Sequence, residues 1–490
     1  MKSLLFLIAC FLLLPVKLSA EIHLSGMIVN TPGQEVRILV YGDQLSFRPI
    51  ELKTVVTDQN GFFNAIVPVD ETEEILVRVG HMRLSFYAEP GQSYLLRVEA
   101  PDGSVMFEGR DYHPLSYHYP RKLRQLSPGH LAEPMDAAQW KDTWLSEDIW
   151  AAWDEDLNRL VDSLVQKTAV YLERYVAGRP RANHAASLAA FDKELDLVFG
   201  HVDNAFFNTY RLYYLGYLAR TLNTKSTSRL IEEFIQDRPV LYSHPMYMEF
   251  VRNLFDTYVF TEIPSVSMDD LLAAVNNTGS YEALIGLIEN DTRSRQEMLH
   301  ELLAVHALIK MIGIRAFDNV KVAGILEQAS VNASHDYIKT MAGNLLEHHP
   351  GMQTDRHLTS ASFRKASGEQ LELSVFDGQH LYLVFMAGWC PVSMRELMPL
   401  SQIQHHFGDN LQVILVLIDQ DEATYAHLMR QETPAYKVVH FDYDYRLLEY
   451  LGIRNIPHYT LIGPEGKIEV NPFISPSAGA MSRLENIINP

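Results

Sequence analysis

Residues 381–386, LYLVFM, are six apolar residues in a row, and they run through Ala-Gly-Trp-Cys-Pro into a helical pattern. A run this short and this uniformly apolar reads as a strand buried on both faces of a sheet. Pro391 suits a first helical turn, where its missing N–H would have had no partner, and helical spacing then continues to Phe407. A second run, LQVILVLI at 411–418, predicts another buried strand, and DEATYAHLMRQ from Asp421 predicts a helix. YTLIG and KIEV flank the turn PEG at 464–466, and AMSRLENII predicts a last helix. Residues 357–490 therefore read as a compact α/β domain with a mixed sheet.

The rest of the chain follows other periods. From residue 21 to 108, short apolar and β-branched runs recur (IHLSGMIV, VRILVY, ILVRV, LSFYA, YLLRV), parted by TPGQ, DQNG and EPGQ. Several short strands of this kind predict a small β-sandwich. Asn60-Gly61, between TVVTDQ and FFNAIV, reads as a hairpin turn. Residues 109–350 read as a central α-helical region. In LNRLVDSLV, Leu157, Leu160, Val161, Leu164 and Val165 recur at three- and four-residue spacing, and Gly178 and Pro180 supply a stop. FFNTYRLYYLGYL at 206–218 reads as an aromatic core helix. HELLAVH at 300–306 resembles a zinc-protease motif only superficially. His300 and His306 are six apart, about 240° around a helix, whereas that chemistry needs histidines four apart. Both are expected on a semi-exposed helix, and no metal or cofactor is expected anywhere in the chain.

The N-terminus reads as an export signal. Lys2 precedes the short apolar stretch LLFLIACFLLLPV, and KLSA ends in small residues, which predicts cleavage after Ala20. LIAC at 7–10 faintly resembles a lipoprotein signal. Its apolar part would be only about six residues, so cleavage after Ala20 is preferred to a lipid anchor on Cys10. No stretch reaches the roughly 20 apolar residues of a membrane span, so none is expected in the mature chain. The 61 acidic residues against 41 basic ones give a net charge of −20, which disfavours nucleic acid as a partner. The chain has 2 cysteines. If Cys10 leaves with the signal, Cys390 remains without an intramolecular disulfide partner, as a reactive thiol or an intermolecular one.

Cys390 stands where a strand ends and a helix begins. Free amides and the helix dipole favour an anion there, and a cysteine so placed can ionise below the ordinary value of about 8.5. The expectation is an exposed, nucleophilic thiol, with the Ser393 hydroxyl donating to the sulfur.

YLVFMAGWCPVSMRELMP resembles the active-site strand and helix of thioredoxin-like proteins, whose signature is W-C-x-x-C. GIRNIPHYTLIGPEGKI at 452–468 resembles the second half of that fold, and SGEQLELSVFDGQHLYLVF the lead-in of exported thiol–disulfide reductases of the TlpA and ResA type. VTDQNGFF is similar to the repeated turn of carboxypeptidase-regulatory-like β-domains. The first resemblance implies a cis-proline at Ile456-Pro457 facing the cysteine, with Trp389, Cys390, Ile456 and Pro457 forming a shallow peptide groove. It also implies partners among the thiols or disulfides of cell-envelope proteins, and a location in the bacterial periplasm or cell envelope.

Three departures stand against the pattern. Ser393 replaces the second cysteine. Val384 stands where many thioredoxins bury a carboxylate. Pro399 lies one residue beyond the usual helix proline. A dithiol enzyme frees itself when its second thiol attacks the mixed disulfide. This chain can take the first step but cannot release itself alone. Two functions stay open: thiol exchange through one cysteine, and a redox-inactive peptide-binding module that keeps the groove. A single-cysteine peroxidase ranks last, because Ala387 stands where a Thr or Ser would polarise peroxide.

Overall fold

The structure is a computed structural model describing residues 20–28, 32–79, 82–99, 117–122, 138–139, 141, 150–290, 297–312, 314, 316–348, 357–358, 361–388, 390–418, 435–442, 444–453 and 456–488. Residues 1–19 of the predicted signal (1–20), Trp389 and the predicted helix from Asp421 lie outside the described residues.

The N-terminal part holds β1 (Glu21–Ile28), β2 (Glu35–Tyr41), β3 (Pro49–Val56), β4 (Phe62–Pro68), β5 (Glu73–Val79), β6 (Met82–Ala88), β7 (Ser93–Glu99) and β8 (Tyr117–Lys122). They form two four-stranded sheets, β4-β1-β7-β8 and β3-β2-β5-β6. Alternate residues such as Ile22, Leu24, Ile38, Val67, Ile75 and Val77 meet in a common buried core. β8 lies past residue 108, where the sequence reading ended the sandwich. Its run YHYPRK lacks the alternation that marked the other strands.

The Asn60-Gly61 hairpin is corrected. β3 and β4 flank the turn but belong to different sheets, so it is a corner between layers. Asp58 Oδ1 accepts from the amides of Asn60 (2.7 Å) and Phe62 (2.9 Å). Gly61 has φ +79°, and a Cβ there would lie 2.0 Å from the Ile28 carbonyl oxygen. Asn60 is not among the positive-φ residues, whereas a type I′ hairpin turn needs two in succession.

The central part is helical: α1 (Leu157–Tyr171), α2 (His184–Phe199), α3 (Ala205–Thr221), α4 (Thr227–Phe234), α5 (Pro245–Leu254), α6 (Tyr258–Thr261), α7 (Met268–Leu272), α8 (Tyr281–Glu289), α9 (Glu297–Met311), α10 (Asn319–Asn332) and α11 (Asp336–His348). Phe207, Tyr210 and Tyr213 of α3 are buried, and Tyr213 meets Tyr247 edge-on with centroids 4.7 Å apart. The semi-exposed placement of His300 and His306 is corrected, since both are buried. α9 is apolar on nearly every face, from Leu299 through Leu308, so opposite sides of it are covered alike.

Hydrogen bonds tie the sandwich to these helices. Asn158 accepts from the Tyr87 amide at 2.7 Å and donates to its carbonyl at 2.9 Å. Asn344 donates to Asp43 at 2.7 Å and accepts from Arg48 at 2.9 Å.

The C-terminal part holds β9 (Ser362–Arg364), β10 (Gln370–Glu372), β11 (His380–Met386), α12 (Pro391–Phe407), β12 (Leu411–Leu417), β13 (Lys437–His440), α13 (Tyr445–Tyr450), β14 (His458–Ile462), β15 (Ile468–Val470) and α14 (Ala480–Ile488). Its seven-stranded mixed sheet runs β10-β9-β13-β12-β11-β14-β15. β11 lies inside the sheet, parallel to β12 and antiparallel to β14. That position explains its unbroken apolar run, since residues 382–386 are wholly buried. Leu383 and Phe385 serve one core, while Tyr382, Val384 and Met386 serve the other, beneath α12 and α14. The chain thus joins an N-terminal β-sandwich, a central helical region and a C-terminal α/β domain.

Candidate functional site

The end of β11 delivers Cys390 to the start of α12. The Cys390 amide donates to the Ala387 carbonyl at 3.1 Å, which closes the turn out of the strand. Cys390 then adopts extended backbone (φ −87°, ψ 112°) as the N-cap residue, and its carbonyl accepts from the Met394 amide at 3.1 Å. Pro391 occupies the first helical turn. Sequence order alone therefore sets the sulfur at the positively polarised end of a 17-residue helix.

Across from it, Ile456-Pro457 is a cis peptide bond. The Cys390 thiol approaches the Ile456 carbonyl oxygen at 4.0 Å, between residues 66 apart in sequence. Cys390 and Ile456 therefore lie together, next to the cis bond to Pro457.

Two expectations about this site fail. Cys390 is 3% exposed rather than open to solvent. It packs into the apolar cluster of Leu383, Phe385, Ala387 and Ile456, so the turn that aligns the sulfur with the helix end also covers it. Ser393 does not donate to the sulfur. It is 0% exposed, and its Oγ has no hydrogen-bond partner. Its position, one helical turn after the N-cap, points it into the packed interior.

The sequence reading missed two residues. Cys390, Ser393 and Glu396 recur every three residues, and Glu396 is buried with them. The Glu396 carboxyl oxygens accept from the Ser477 amide at 3.0 Å and from its hydroxyl. A carboxyl on the face that continues through Leu400, Ile403 and Phe407 was the signal available. The second is Tyr459, two residues past the cis-proline and paired with Val384 across β11 and β14. Its ring stacks on Tyr382 at 5.9 Å, and its hydroxyl is buried without a hydrogen-bond partner. Burial first, then the nearby Glu396 carboxyl and Cys390 thiol, push this phenol well above its ordinary value, so it keeps its proton.

The loop is braced from the opposite face of β14. Asn471 Oδ1 lies 2.7 Å from His458 Nε2 and accepts from Thr460 at 3.0 Å, while Asn471 Nδ2 donates to the Leu451 carbonyl at 2.9 Å. Burial holds the His458 imidazole below its usual range. The brace links the strand after Pro457 to the end of α13.

Residues 378–468 match a family model described as thioredoxin-like. No curated protein matches the chain. Among solved structures, it is similar to the thioredoxin domain of a thiol–disulfide oxidoreductase from Bacteroides vulgatus, at 22% identity, covering 28% of this chain and 98% of that one, with TM-score 0.26. A thiol:disulfide interchange protein from Bacteroides sp. gives 21% identity over 28% of this chain and 91% of that one, with TM-score 0.26. A thioredoxin-like protein from Bacteroides caccae gives 14% identity over 49% of this chain and 91% of that one, with TM-score 0.35. At these identities and scores nothing functional is carried over from them. The C-terminal domain is thioredoxin-like.

Proposed function

We propose that the chain takes part in thiol–disulfide exchange through the single thiol of Cys390, with Trp389, Ile456 and Pro457 receiving the substrate peptide. The observation that carries this reading is the sulfur at a helix N-terminus, facing the Ile456 carbonyl beside the cis-proline. Helix ends of this kind stabilise an adjacent anion by roughly 0.3–1 kcal/mol, and up to about 2 kcal/mol when partly buried. The thiolate attacks one sulfur of a substrate disulfide. A Cys390–substrate disulfide forms, and the other sulfur leaves as a thiolate that takes a proton from water. Ser393 cannot act as a resolving thiol, so an external thiol must attack this intermediate and free Cys390. The sequence of residues 1–20 supports export, which makes thiols or disulfides of cell-envelope proteins the partners.

A second reading has its own observation. The 3% exposure of Cys390 favours a redox-inactive module that keeps the groove for peptide recognition.

Alkylation of Cys390 across pH, with mass spectrometry of trapped adducts, separates the two. Exchange predicts modification below pH 8 and disulfide adducts that vanish in Cys390→Ser. A thiol that reacts only above pH 8, and carries no adduct, overturns exchange and leaves the binding module.

A further inference from the structure

Asn471, just past β15, is 2% exposed, and its side-chain amide bonds to two other segments of the thioredoxin-like domain. Nδ2 donates to the Leu451 carbonyl at the end of α13, at 2.9 Å. That donation fixes which end of the amide is oxygen. Oδ1 is therefore the acceptor for the Thr460 hydroxyl at 3.0 Å and for His458 Nε2 at 2.7 Å, and His458 carries its proton on Nε2. An amide this deep is tolerated because its partners are groups that burial would otherwise leave unpaired.

Leu451 precedes Ile456 in the chain, while His458 and Thr460 follow it on β14. One amide thus pins the chain on both sides of the Ile456 carbonyl, the group that faces the Cys390 sulfur at 4.0 Å. The His458 ring lies 6.5 Å from that of Phe385, its partner across β14 and β11, and Phe385, Ile456 and Cys390 share one core. The amide therefore acts on the face of the sheet where the sulfur lies.

We infer that Asn471 is a positioning residue for thiol exchange: it sets the Ile456 carbonyl against Cys390, so that a substrate peptide lying along that carbonyl presents its disulfide to the sulfur. This inference rests on the exchange reading. In the step it serves, the Cys390 thiolate attacks one sulfur of the peptide's disulfide. The Cys390–peptide bond forms, and the other sulfur leaves with the electron pair. Asn471 moves no proton and acts only through Leu451, His458 and Thr460. A reactant that needs the sulfur alone is indifferent to it, whereas one that must lie on the Ile456 carbonyl depends on it.

The test uses the full-length chain and two disulfides with the same leaving group: a peptide whose only cysteine is bonded to thionitrobenzoate, and mercaptoethanol bonded likewise. Release of coloured thionitrobenzoate reads both rates, and their ratio removes the thiolate fraction of Cys390 from the comparison. Asn471→Ala is expected to lower the peptide-to-mercaptoethanol ratio about tenfold. A purely structural role would change both rates alike, through the exposure of the sulfur, and leave the ratio in place. Thr460→Val removes one bond to Oδ1 at nearly constant volume and is expected to lower the ratio about threefold. It decides the test where melting shows that Asn471→Ala does not fold. An unchanged ratio in the deciding variant overturns the role of Asn471 and leaves exchange standing. A parent chain that releases thionitrobenzoate from neither disulfide overturns exchange itself, and this inference with it.

Discussion

Glu449, at the end of α13, is the charge that fastens the sandwich to the thioredoxin-like domain. Its carboxylate accepts from Arg37 of β2 at 2.9 Å and makes an ion pair with Arg78 of β5. The three side chains are 15%, 16% and 11% exposed, so water screens them little. Burial alone would raise the Glu449 pKa, but Arg78 and Arg37 together outweigh it and hold the carboxyl below its ordinary value. Glu449→Gln keeps the shape and removes the charge. Arg37 then retains Glu51, while Arg78 is left nearly buried beside a neutral amide. Breaking a fully buried pair costs about 3–5 kcal/mol, and an exposed pair about 0–1 kcal/mol. These exposures place the loss at about 2 kcal/mol. For a domain of roughly 150 residues that lowers the melting temperature by about 4–8 °C. Differential scanning calorimetry at pH 7 reads it, with an earlier transition expected for the thioredoxin-like domain. The sign with pH follows from the depressed pKa. The contribution is complete above the unfolded carboxylate value near 4.3, and it is lost as pH falls through the lower folded value. The variant and the parent should therefore converge in stability below about pH 4. A variant that melts with the parent at pH 7, or a difference that persists unchanged at pH 3, would refute this account of the junction.

His244 and His306 are both pushed down to about 4 by burial, so each loses about 1.5 pH units of protonation free energy at pH 5 relative to an unfolded value near 6.5. Stability should fall by about 2 kcal/mol per histidine between pH 7 and pH 5 in urea titrations. His244→Asn, which can still cap α5, should remove one such share, and an equally steep profile in that variant would count against it. Ser393→Cys places a second thiol one helical turn after Cys390. The mixed-disulfide adduct should then stop accumulating in mass spectra, because the new thiol attacks it; an equally abundant adduct would show that the added sulfur cannot reach.

How much of this was legible follows from what each signal encodes. The strand at 381–386, the helix from Pro391 to Phe407 and the turn at 464–466 were readable because continuous apolar runs and punctuating residues state local conformation directly. Asn60-Gly61 also states a turn, but no dipeptide says which sheet its flanking strands will join. Sandwich packing decides that, and it sent β3 and β4 to different layers. Exposure was the least legible property. His300 and His306 sit on different sides of α9, yet neighbours cover both sides. The same limit governs the site. A strand-to-helix junction announces a sulfur at a helix end, while the depth of that sulfur depends on Leu383, Phe385 and Ile456, which no spacing ties to it. Glu396 and Tyr459 illustrate the point from two sides. One was a carboxyl on an apolar helical face, visible once the face was drawn. The other lies on a strand whose pairing with β11 had to be known first. Val384, where many thioredoxins bury a carboxylate, faces Tyr459 across β11 and β14, a neighbour that reading one strand at a time cannot find.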